Sequence, residues 1–94
     1  MESIMDTDEG VCFNCGRLGF TETHHIFFGH GNRKISDKNG FVVYLCPECH
    51  RGTYGVHGKN GKQLNLSLKR RCQATFEEKH SREEFMKLIG RSYL

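Results

Sequence analysis

The chain carries two Cys-x-x-Cys pairs, Cys12-Phe13-Asn14-Cys15 and Cys46-Pro47-Glu48-Cys49, with 30 residues between them. A turn of this kind brings two thiolates to one tetrahedral ion, and two such turns complete a four-sulfur site. A redox pair would not need a second copy. Cys12, Cys15, Cys46 and Cys49 are therefore expected to hold a structural Zn2+, which ties the start of the chain to its middle. The fifth cysteine, Cys72, falls on an apolar helical stripe and reads as a core thiol.

Length explains why such a staple is needed. A chain of 94 residues buries only about 60% of the surface its unfolded form exposes. Hydrophobic content is 36% and there is no tryptophan, so metal supplements a small core. Met1 to Gly10 is acidic and lacks a basic start followed by an apolar run. The expected setting is thus a reducing cytoplasm, where such cysteine pairs bind metal rather than form disulfides. No apolar run approaches the ~18 residues needed to cross a membrane, so no membrane partner is expected.

The net charge of +3 understates the basic character. Glu2, Asp6, Asp8 and Glu9 take four of the eleven acids, leaving 14 basic side chains against seven acidic ones, a net +7 over residues 11–94. Such a body suits a polyanion, nucleic acid first, although the same charge also serves solubility.

Along the chain, residues 1–10 read as a frayed, disordered acidic tail and 11–94 as a single domain. Residues 21–28 are β-branched and aromatic enough for a strand. Gly29 to Lys34 breaks it, and a long loop is expected to continue through Gly40. Phe41 to Leu45 is the clearest strand, and a helix is expected to start near Pro47 or Cys49. Gly52, Gly55, Gly58 and Gly61 then oppose a long helix. Leu64, Leu68, Cys72 and Phe76 recur every four residues, which predicts an amphipathic helix over roughly 66–80. Ser81 and Glu84 form a capping box ahead of a helix of about 82–89 that buries Phe85, Leu88 and Ile89, with Gly90 as its stop.

Six histidines are many for this length. His24 and His25 are adjacent in a strand and should point to opposite faces. His50 directly follows the second cysteine pair, and His57 lies seven residues on. Neutral imidazoles ligate divalent metals, and one left free serves as a general base near neutral pH. His30, in a glycine-flanked loop, reads as facing solvent or phosphate. His80 ends a helix, where a cation suits the dipole.

Thr23-His24-His25-Ile26-Phe27, Val43 to His50 and Gly55-Val56-His57 together resemble the HNH endonuclease family, and the Cys12/Cys15 pair resembles its zinc-stapled branch. The wider run through Asn32-Arg33-Lys34 and Gln73 to Tyr93 is similar to small HNH-type proteins of phages and prophages, some grouped with a phage RecA-dependent recombination nuclease. The resemblance covers residues 11–94. It implies a small α+β fold with a ββα-metal (His-Me finger) core, a four-cysteine zinc site and C-terminal helices.

The resemblance also implies roles. His24 and His50 would bind a catalytic divalent ion, Mg2+ or another. His57 matches the family's last histidine, at a spacing of seven where four is common. His25 would be the general base. The family's middle asparagine falls nearest Asn39, with Asn32 as the other candidate. Arg33, Lys34, Lys38 and Arg51 would steer phosphates, and Lys69, Arg70 and Arg71 would grip the DNA backbone. The implied activity is metal-dependent hydrolysis of DNA phosphodiesters, leaving a 5′-phosphate and a 3′-hydroxyl, in a bacterial or phage-infected cell. Two alternatives stay open: a zinc-ribbon-like module that binds nucleic acid without catalysis, and a nuclease active only beside a recombinase or other phage protein.

Overall fold

The computed structural model describes residues 2–94. Six elements follow in order: β1 (Glu22–His25), α1 (Asn32–Asn39), β2 (Val42–Leu45), α2 (Pro47–Arg51), α3 (Lys62–Phe76) and α4 (Arg82–Ile89). β1 and β2 pair antiparallel, with Glu22 opposite Leu45 and His25 opposite Val42. A separate bridge, Val11 to Leu18, closes the first cysteine turn. The result is a small α+β fold: a two-stranded sheet, helices and a four-cysteine cluster.

The core lies between the sheet and the two C-terminal helices. Phe27, Phe41, Phe76 and Phe85 meet there, with ring centroids 5.5–6.2 Å apart where they pair. Val43, Leu45, Leu68 and Cys72 fill in around them. Edge-to-face and tilted packing of this kind adds to simple burial, a gain that matters in so small a core. Gln73, also fully buried, spends its amide on the chain end. Its Oε1 accepts from the Tyr93 N–H at 2.7 Å, and its Nε2 donates to Ser92 Oγ at 2.9 Å.

Several elements depart from the sequence reading. The region expected to be a long loop contains α1. Its polar run holds one apolar side chain, Ile35, so no periodicity announces a helix. What holds it is remote: buried Ser36 Oγ donates to the Phe27 carbonyl at 2.6 Å and accepts from the Phe27 N–H at 3.0 Å. Gly40 ends it at φ 73°, where a side chain would also strike the Glu2 carbonyl. β1 stops at His25 rather than running to 28, although Ile26 still donates to the Phe41 carbonyl at 2.9 Å. α3 begins four residues earlier than expected and stops at Phe76, where His80 folds back to stack on the ring at 4.4 Å.

The acidic start, expected to be frayed, lies along β2. Ile4 donates to the Gly40 carbonyl at 3.0 Å, Tyr44 donates to Thr7 Oγ1 at 3.1 Å, and Met5 is buried. α4 agrees with expectation in its bounds and its stop, with both bonds of the Ser81/Glu84 box formed and Gly90 at φ 97°, but of its three expected core residues only Phe85 is fully buried, Leu88 and Ile89 being half-buried.

Candidate metal centres

The first centre is built by the two cysteine turns. The Sγ atoms of Cys12, Cys15, Cys46 and Cys49 all lie within 4.8 Å of one another, with Cys15 and Cys46 at 3.9 Å. Zn–S bonds of about 2.3 Å in a tetrahedron require sulfurs about 3.8 Å apart, so the cluster fits that ion. Backbone amides reach the sulfurs, Cys15 N–H to Cys12 and Cys49 N–H to Cys46. Burial raises the Cys12 pKa, but N–H groups of Cys15, Cys46 and Asn14 outweigh it and bring it to about 6. Burial pushes Cys49 up to about 12. A bound cation would draw all four sulfurs to the thiolate form and offset the charge they bring together. Cys72 stays in the core, its thiol pushed up to about 12 by burial.

The second centre is built by β1, α2 and the glycine loop. His24 on β1 points inward and is 1% exposed. His50 sits on α2, whose first turn is fixed by Pro47 and by the Cys46 sulfur capping the Cys49 N–H. His57 returns from the loop. One ring nitrogen from each of the three lies within 4.8 Å of the others, and the ring centroids are 4.9–5.2 Å apart. Both nitrogens of His24 are buried without a hydrogen-bond partner. Buried polar atoms almost always have one, so this orphaned ring fits a metal ligand. Burial, then the neighbouring histidines, lowers the His24 pKa to about 3; burial also lowers His57. Both are thereby held neutral, as metal ligation requires.

Glu22 is a functional candidate the sequence did not reveal. Its Oε1 lies 2.8 Å from His50 Nδ1, which directs the other ring nitrogen, Nε2, toward the cluster. Arg51 clamps the same carboxylate, with Nη2 at 2.8 Å from Oε2. The hydrogen bonds from Arg51 and then His50 hold Glu22 down at about 2. Its position two residues before His24, on the same strand face, is the only sequence signal that could have suggested it.

His25 lies on the other side of β1, as strand alternation requires. Its Nε2 is 3.2 Å from Asp37 Oδ1, in a cleft shared with Thr23, Arg33 and Lys34. α1 therefore brings two of the expected phosphate-steering cations to His25. Lys38 is exposed on the last turn of α1 and does not line this cleft. Asn39 is not brought to the histidines. Its Nδ2 donates to the Ile35 carbonyl at 2.8 Å, and it lines a cavity with Ser3, Thr75 and His80. Asn32 opens α1, its N–H donating to the Gly29 carbonyl. The basic run on α3 is split between faces: Lys69 lies over Phe28, Arg70 donates to the Tyr93 carbonyl, and Arg71 stacks on Phe13 at 4.6 Å. Consecutive helical residues do not share a face.

The chain is 31% identical over 71 residues to the type IV methyl-directed restriction enzyme EcoKMcrA of Escherichia coli (strain K12). That alignment covers 65% of this chain and 24% of the relative, so the chain matches about a quarter of the restriction enzyme's length. No family model matches the chain, and no solved structure matches it significantly. No helix among the described residues is long and apolar enough to cross a membrane.

Proposed function

We propose that this chain is an HNH-type, metal-dependent DNA endonuclease with a ββα-metal core, stapled by a four-cysteine zinc site. The observation that carries the reading is the convergence of His24, His50 and His57, with both nitrogens of the buried His24 left unpartnered. The similarity to a restriction enzyme supports DNA as the substrate. It gives no support to a recombinase or phage partner.

In this reading His24, His50 and His57 hold a divalent ion, and Glu22 orients His50. The ion would supply positive charge where the phosphoryl and leaving 3′ oxygens become more negative. His25 takes a proton from the water that attacks phosphorus. The P–O3′ bond breaks and O3′ takes a proton from solvent water, leaving a 5′-phosphate and a 3′-hydroxyl. Asp37 accepts from the Nε2–H of His25, which fixes the ring and leaves Nδ1 as its basic nitrogen. Arg33 and Lys34, in the same cleft, attract the phosphate.

Supercoiled-plasmid nicking tests the proposal. Zinc-loaded protein with Mg2+ or Mn2+ should nick the plasmid, and His25→Ala should be slower by about 10²–10⁴-fold, the usual worth of a general base. Undiminished nicking by His25→Ala would reject the assigned base. If the folded parent nicks nothing with either metal yet still binds DNA, the free-standing nuclease gives way to the non-catalytic binding module or to a nuclease active only beside a partner protein.

A further inference from the structure

The aromatic pair Phe28 and Tyr93 holds two cations beside the histidine cluster. Lys69 Nζ lies 5.1 Å from the Phe28 centroid and 5.4 Å from that of Tyr93. Arg91 Cζ lies 4.4 Å from the same Tyr93 ring. Phe28 in turn sets its ring 5.0 Å from His57 and 5.9 Å from His24. One phenyl ring therefore separates the Lys69 ammonium from the proposed metal ligands.

This arrangement is held from beneath. The buried Gln73 amide bonds both the Tyr93 N–H and Ser92 Oγ, and Arg70 Nε donates to the Tyr93 carbonyl at 3.1 Å. The chain end is thus pinned to α3, with Arg91 beside Lys69. Neither cation forms an ion pair among the described residues. Burial, and then the Arg91 charge, lowers the Lys69 pKa. Two like charges on one ring with no counter-ion repel, and an anion that reaches both relieves that cost. Pinning the long lysine between two rings also removes much of the rotamer freedom it would lose on binding.

We propose that Lys69 and Arg91, seated on Phe28 and Tyr93, form a second phosphate site that takes a backbone phosphodiester of bound DNA next to the one at the histidine cluster. The inference rests on the nuclease reading for the nature of its ligand. Arg91 had no assigned role in the sequence, because nothing local links it to Lys69; only the Gln73 tether does.

Binding of a short DNA duplex by zinc-loaded protein, measured by fluorescence anisotropy across a salt series without added divalent metal, tests it. Lys69→Gln and Arg91→Gln should each weaken binding several-fold. The double variant should lower the slope of log affinity against log salt by about 0.9, the release expected for one phosphate. Lys69→Arg should restore most of the affinity. Lys87→Gln, on the face shared with Ser3 and His80, should change little. An unaltered slope in the double variant overturns the inference, as does an equal loss in Lys87→Gln. If that happens while the parent still nicks plasmid and His25→Ala does not, the nuclease reading stands alone. A parent that binds no duplex at low salt overturns both.

Discussion

The His57 amide donates to the His50 carbonyl at 3.0 Å, and the two imidazole centroids lie 4.9 Å apart. Seven residues are too many for one helical face, yet the intervening glycines bridge them. Val56 donates to the Cys49 carbonyl, and three-residue turns link Gly52, Gly55, Gly58 and Gly61. A Cβ on Gly58 would strike the Gly52 carbonyl, and one on Gly61 the Gly55 carbonyl. The loop is a close coil of backbone on backbone, and its winding carries His57 back over His50.

Gly58→Ala should therefore open the coil. A destabilisation of at least about 1 kcal/mol is expected, which lowers Tm by roughly 4–8 °C in a domain of this size. Calorimetry checks the first effect. Mn2+ titration checks the second, a weakened histidine site with zinc content unchanged. A Tm equal to the parent's would show that the coil yields without cost.

Glu22→Ala removes the carboxylate that orients His50 and receives Arg51. Losing such a partner costs about 10–100-fold in metal affinity. Isothermal titration with Mn2+ should show that drop, with one zinc per chain retained at the cysteines. Parent-like affinity would mean that His50 is positioned by α2 alone.

Acid should destabilise the protein through His24. Its folded pKa is lowered to about 3 by burial, below the ordinary value of 6.5. Between those values the unfolded chain takes up a proton that the folded protein refuses. The full stability is thus present above about pH 6.5 and falls as pH drops toward 3, by up to about 1.4 kcal/mol per pH unit. Urea unfolding between pH 7.5 and 5, without added divalent metal, should show this slope. His24→Gln should lose one proton's worth of it; an identical slope in the variant would assign the effect to other groups.

Stripping zinc, or Cys46→Ser, should abolish the cooperative unfolding transition. Cys46 is buried, joins both cysteine turns and caps α2. Zinc held by the four cysteines would add folding free energy that so small a core lacks. Circular dichroism during chelation should show helix loss together with loss of Mn2+ binding, because α2 carries His50. Retained helix after complete zinc removal would show that the aromatic core suffices.

Elements with short-range chemistry were legible from the residues. The Ser81/Glu84 box and the Phe41-to-Leu45 strand appear close to where they were expected. The facing of His24 and His25 follows from a period of two. α1 was missed because its stability comes from Ser36 reaching Phe27, nine residues away, rather than from an apolar stripe. Asn39, matched by spacing, makes a side-chain to backbone bond, to the Ile35 carbonyl, but spacing does not foretell that this bond lies away from the His24, His50 and His57 cluster.

By itself the sequence determined the candidate chemistry: two cysteine turns, a histidine pair and a histidine after the second turn, each fixed by neighbours in the chain. Tertiary structure alone decided which groups complete the sites. Glu22 reaches His50 across 28 residues, Asp37 meets His25 from a helix that shows no periodicity, and Gln73 draws Arg91 to Lys69. The physical reason is range. A turn or a cap is settled by a few adjacent residues, whereas a contact between distant residues exists only once the core has folded and fixed the backbones that present them.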